Sequence, residues 1–135
     1  MASSSPPWPT EIGLDRPARR LTISFDDGRS FELSFEFLRV NSPSAEVRGH
    51  GAGQEVLQLD KQDVDILELR PVGNYGVLIV FSDGHDTGIY SWAWLREIGE
   101  NRDFLWGRYL EQVARHREQR GIVRVSGTPR AGSDE

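Results

Sequence analysis

The chain has 135 residues, of which 21 are acidic and 16 are Lys or Arg; the formal net charge is −5 and there is no cysteine. That length suits one domain and buries enough surface to fold without covalent staples. The lack of cysteine excludes disulfides, thiolate metal sites and cysteine nucleophiles, and the negative balance argues against indiscriminate nucleic-acid binding, which needs a basic face to release counterions.

Met1 to Pro9 is rich in Ser and Pro, with neither a basic segment nor an apolar run, so it does not read as a secretory signal. No stretch approaches the ~18 consecutive apolar residues of a transmembrane helix. The expectation is a cytoplasmic chain with no membrane partner. It divides into a flexible lead over 1–10, a folded body over 11–119 and a disordered polar tail over 120–135. Trp8-Pro9 is the one feature able to pin the lead to the body.

Leu21, Ile23 and Phe25 alternate with polar residues, Asp26-Asp27-Gly28-Arg29 intervenes, and Phe31, Leu33 and Phe35 alternate again. Period two on both sides of an Asp-Gly turn predicts a hairpin, which the chain leaves near Arg39-Val40-Asn41. Residues 41–55 hold a proline and three glycines and read as a long loop with no packed core. Val56 to Asp60 reads as a short edge strand, and Val64 to Leu69 as another. Pro71-Val72-Gly73-Asn74 is a turn. The apolar run Tyr75 to Phe81 suits a central strand buried on both faces. Ser82 to Gly88 is a second turn, after which Ile89-Tyr90-Ser91 is extended. A short helix over Trp92 to Ile98 should stop at Gly99. Asn101 should cap a longer helix striped by Leu105, Trp106, Tyr109, Leu110 and Val113. Strands first and helices last predict an α+β fold. It would be a small, mostly antiparallel sheet with an N-terminal hairpin and two C-terminal helices packed on it.

Candidate chemistry is sparse. His50 lies in the Gly-rich loop, His85 in the Asp83-Gly84-His85-Asp86 turn, and His116 near a helix end. Their spacing matches no strict metal pattern. There is no G-x-S-x-G elbow, and Gly49-His50-Gly51-Ala52-Gly53 lacks the Lys-Ser/Thr of a phosphate loop. Arg115, Arg117, Arg120 and Arg124 read as a solvated helix end. No catalytic residue and no cofactor is expected. The aromatic cluster says more. Tyr90, Trp92 and Trp94 fall within five residues, and the two tryptophans project about 200° apart on a helix. One of them is therefore a candidate anchor for a partner.

Three segments together resemble the gamma-butyrobetaine hydroxylase N-terminal-like domain family, a domain of unknown function. They are the hairpin Leu21–Phe35 running into Phe37-Leu38-Arg39, then Ser42-Pro43-Ser44-Ala45-Glu46-Val47, then Pro71 to Tyr75 followed by Phe81 to Trp92. The likeness covers about residues 10–115. It implies an accessory module, which in carnitine-pathway hydroxylases precedes a separate iron and 2-oxoglutarate catalytic domain. In other relatives it is attached to P-loop ATPases of the iron-sulfur carrier type. Many bacterial members are free-standing. In the hydroxylases the resemblance implies a structural zinc held by three cysteines and one histidine. Those positions fall here on Ser42, Ser44, Val47 and His85, so three of four ligands are replaced and no metal is expected.

The leading expectation is a non-catalytic adaptor that binds another protein, with Asp83, Gly84, His85, Tyr90, Trp92 and Trp94 as interface candidates. An accessory role in iron-sulfur handling would have to run through a partner ATPase, because a chain without cysteine cannot hold a cluster by thiolates. A small enzyme using His85, Asp83 and His50 as acid-base groups is the third reading. Homodimerisation through a sheet edge or a spare tryptophan is compatible with all three.

Overall fold

The computed structural model describes residues 7–49, 55–119 and 121. Calls on His50, on the rest of the glycine-rich stretch 50–54, and on nearly all of the tail, Arg120 and Arg124 included, lie outside them. The architecture is α+β. It has two antiparallel three-stranded sheets, β1-β2-β3 and β4-β5-β6, an N-terminal hairpin and two C-terminal helices.

The first sheet comprises β1 (Pro9–Asp15), β2 (Arg20–Phe25) and β3 (Ser30–Ser34). The Asp-Gly hairpin is β2–β3, in register Leu21↔Leu33 and Ile23↔Phe31. Strand β1 begins inside the expected lead and pairs Ile12 with Ile23 and Leu14 with Leu21. The backbone of Trp8 is pinned as well: its amide donates to Asp26 Oδ1 at 3.2 Å, and its carbonyl accepts from the Asp26 amide at 2.8 Å.

The hairpin does not simply fade out near Arg39. It turns into α1 (Phe35–Val40), where Ser34 caps the helix by accepting the Phe37 amide. Phe35, Phe37 and Leu38 all enter the core, so an alternation that suggested strand was the start of a helix. The expected coreless loop holds α2 (Ala45–Arg48), capped by Ser44, with Val47 buried. The expected edge strand at 56–60 does not form. Leu57 and Leu59 instead pack against Tyr109 and Val113 in a small second cluster.

The second sheet comprises β4 (Ile66–Val72), β5 (Gly76–Phe81) and β6 (Ile89–Ser91). Strand β5 is central as expected, but only one face is sealed: Val77, Ile79 and Phe81 are buried while Leu78 and Val80 are half-buried. The strand and helix pairs close around one core of Leu21, Ile23, Leu33, Ile79, Phe81 and Leu95, among others. A β-carbon on Gly76 would lie 2.5 Å from the Tyr90 carbonyl oxygen, so only glycine lets β5 and β6 approach this closely.

Helix α3 (Trp92–Glu100) passes through Gly99 instead of ending there. The glycine is needed for packing, since a β-carbon would meet the Phe31 ring at 2.9 Å. Asn101 is the C-cap of α3, with its side-chain amide donating to the Glu97 carbonyl; only its backbone carbonyl serves α4 (Arg102–Gln119), accepting from Leu105. Among the described residues no helix is long and apolar enough to cross a membrane.

Candidate functional site

The α1–α2 segment and the β5–β6 turn meet in a closed set of hydrogen bonds. Ser42, fully buried, donates its hydroxyl proton to His85 Nε2 at 2.8 Å and accepts the Ser44 amide at 3.2 Å. The other ring nitrogen, Nδ1, faces Glu46 Oε1 at 3.1 Å. The consistent assignment is a neutral imidazole with its proton on Nδ1. Ser44 Oγ accepts the Glu46 amide and lies 2.9 Å from Thr87 Oγ1, which reaches Glu46 Oε1 at 3.4 Å. Every hydroxyl proton in the set has an acceptor.

A charged cluster adjoins this knot. Arg39, 7 % exposed, donates from Nε to Asp83 Oδ2 at 2.9 Å and from Nη1 to Gln58 Oε1 at 3.0 Å. Lys61 Nζ reaches the same Asp83 oxygen at 2.8 Å, and Asp83 Oδ1 accepts the His85 amide. Burial by itself would raise the Asp83 carboxyl, but hydrogen bonds from Lys61, the His85 amide and Arg39 bring it down to about 2. His85 moves below its ordinary value, because burial and then the Arg39 charge outweigh Glu46 and Asp83. The folded state therefore takes up a proton on His85 less readily than the unfolded chain. Its contribution to stability is complete above the unfolded value near 6.5 and is lost as pH falls below it. The urea midpoint should drop from pH 7.5 to pH 5.0, and His85→Gln should flatten that dependence. An unchanged slope in the variant would refute the assignment.

Ser42, His85 and Glu46 have the connectivity of a nucleophile, base and carboxylate relay. Their accessibility is inverted: Ser42 is fully buried, while the Glu46 side chain is 68 % exposed. None of the described cavities is lined by Ser42 or His85. Ser42 has no exposed surface in this arrangement, and its hydrogen bonds tie the α1–α2 segment to the β5–β6 turn.

Among the described residues a trough lies between α2 and the α3–α4 pair. Two cavities of about 430 and 350 Å³ share Asn41, Arg48, Glu55, Leu105 and Arg108 as lining. Arg48 lies 5.1 Å above the Trp94 ring, and Arg108 lies 5.6 Å from the Phe104 ring. Phe104 is 66 % exposed.

The family model for gamma-butyrobetaine hydroxylase-like, N-terminal, matches residues 12–96. The chain belongs to this family. It is similar to two structures solved by NMR in solution. One is 44 % identical with a TM-score of 0.72, covering 97 % of this chain and 98 % of that one. The other is 36 % identical with a TM-score of 0.71, covering 96 % and 98 %. A crystal structure of a DUF971-family protein of unknown function from Acidithiobacillus ferrooxidans is 36 % identical with a TM-score of 0.57, covering 67 % and 91 %. Among curated proteins none matches the chain.

The four positions that the resemblance would assign to zinc lie near one another in this chain. Ser42, Ser44 and His85 share one hydrogen-bonded set, and Val47 lies one turn along α2 with its amide on the Ser44 carbonyl. The donor set does not fit a tetrahedral zinc. It offers one imidazole, two hydroxyls and an alkyl group, and both imidazole nitrogens are engaged. Among the described residues no group of three or more His, Cys, Asp or Glu is placed to hold a metal ion.

The interface candidates divide. Tyr90 is fully buried with its hydroxyl on the Leu38 carbonyl, and His85 is 6 % exposed. Asp83 is locked between two cations, and Gly84 is the turn residue at φ +92°. Tyr90 and His85 are thus interior, whereas Asp83 and Gly84 lie on the exposed part of the turn. Trp92 and Trp94 are both half-buried and pack against the core. The Trp92 indole donates to the Asn74 carbonyl and the Trp94 indole to the Asn41 carbonyl, each at 2.9 Å. Trp94 also forms a wall of the trough. Sequence reasoning missed Arg39, Glu46, Arg48, Phe104 and Arg108. The one local signal was Phe104, which falls off the buried stripe of α4.

Proposed function

We propose that this chain is a non-catalytic protein-binding module whose docking surface is the trough between α2 and the α3–α4 pair. The observation that carries this reading is the contrast in access. Among the described residues, the group with the connectivity of a catalytic relay has its serine fully buried, while a trough walled by Trp94, Phe104 and two arginines is accessible. Aromatic and Arg side chains in a concave site are the usual anchors of protein interfaces. Both Phe104 and Arg108 are exposed on α4, so substitutions there test binding with little effect on folding.

The test is co-purification from cells expressing a tagged chain at native level, comparing wild type with Phe104→Ser. The expected result is a stoichiometric partner that wild type retains and Phe104→Ser loses, at unchanged thermal midpoint. Wild type recovered without a partner, or both forms recovered with the same one, would overturn the reading.

A further inference from the structure

We infer that the trough receives an extended peptide segment whose acidic side chain seats at the junction lined by Arg48 and Arg108, with apolar residues of the peptide on either side. This rests on the protein-binding reading above and adds the chemistry of the partner. The two cavities meet at a lining that contains two guanidinium groups and one carboxylate, Glu55. That junction is locally positive in a chain of net charge −5. Glu55 satisfies its arginine only loosely, at 3.6 Å from Arg48 Nη2. Arg108 has no acidic partner within 4.0 Å among the described residues, and its recorded neighbour is the Phe104 ring.

A guanidinium resting against an aromatic ring keeps its planar edge available, and that edge matches a carboxylate in bidentate fashion. On one side of the junction lie Val47, Leu57 and Tyr109; on the other lie Ile98 and Phe104. Two apolar lobes flanking a central charge suit a short segment with an acid between hydrophobic residues. Glu97 lines one of the two cavities and not the other. A nucleic-acid phosphate would face the overall negative charge of the chain, which a short acidic-apolar peptide tolerates through its apolar contacts.

The test is panning of a phage-displayed random peptide library on the full chain. The enriched sequences are then synthesised and titrated by fluorescence polarisation against wild type, Arg108→Gln and Phe104→Ser. The expected result is peptides carrying Asp or Glu between apolar residues, with affinity about tenfold weaker for Arg108→Gln, the size of one lost charge-assisted contact. Changing the peptide acid to its amide should cost the same factor, and the two changes together should cost little more than either. Peptides that bind wild type and Arg108→Gln equally, yet are lost with Phe104→Ser, would overturn the carboxylate inference and leave the protein-binding reading standing. Enrichment that survives both variants, or no enrichment at all, would overturn both. A concentration-dependent dimer abolished by Arg108→Gln, in place of peptide binding, would also overturn it, since a second copy would then cover the trough.

Discussion

Arg39→Ala is expected to cost about 2–3 kcal/mol of folding stability, from lost charge-assisted hydrogen bonds and the space left by a nearly buried side chain. Arg39 is 7 % exposed on α1 and ties three segments together, through Asp83 in the β5–β6 turn and Gln58 in the stretch before β4. Without it the Gln58 side-chain oxygen loses its donor, Asp83 keeps only Lys61 and the His85 amide, and a cavity opens beside α1. Urea unfolding at pH 7.5 measures the loss. Arg39→Met should recover part of it, because the methionine side chain refills the space beside α1 while Asp83 keeps Lys61. A loss below about 1 kcal/mol, the size of an exposed pair, would mean that Lys61 alone satisfies Asp83. The arginine also helps hold His85 neutral. In Arg39→Ala the histidine should therefore take up a proton more readily, and the fall in stability below pH 6.5 should be shallower.

His85→Ala is expected to cost about 3 kcal/mol, from a stranded buried hydroxyl together with a residual cavity. The loss arises on both sides of the ring. Ser42, fully buried, loses its acceptor, and Glu46 loses the Nδ1 proton that tethers α2 to the turn. Ser42→Ala alone should cost less, since it leaves one ring nitrogen without a donor and opens little space. The double variant should fall short of the summed single losses, because both remove the same bond. Strict additivity would show that Ser42 and His85 do not interact in solution. The same variants separate the hydrogen-bonded set from the binding site: peptide affinity at the trough should survive Ser42→Ala, since neither Ser42 nor its partners Ser44 and His85 line the trough.

Much of the fold was legible from local pattern. The β2–β3 hairpin followed from alternation around Asp27-Gly28, and β5 from its apolar run. Helix α4 followed from the stripe Leu105, Trp106, Tyr109 and Val113. Where reading failed, two local signals competed. Phe35 and Phe37 fit a strand and also the first turn of a helix, and the Ser34 cap decided for α1. Gly99 looked like a stop signal, but its missing side chain makes room for the Phe31 ring, a neighbour 68 residues away in the chain (99 − 31 = 68).

The sequence by itself determined the type and order of most elements, the family, and the absence of cysteine chemistry. Each of these is written in residue identity or in short-range periodicity. Only the tertiary structure decided which side chains meet. The Ser42–His85 hydrogen bond joins residues 43 apart, the Arg39–Asp83 pair residues 44 apart, and the Trp94–Asn41 bond residues 53 apart. Periodicity records how often a chain returns to the buried side, and carries no label for the partner found there. That is why Tyr90 and His85, which stood out as surface candidates, proved to be interior. It is also why Arg48 and Arg108, unremarked on their own helices, came to face one trough.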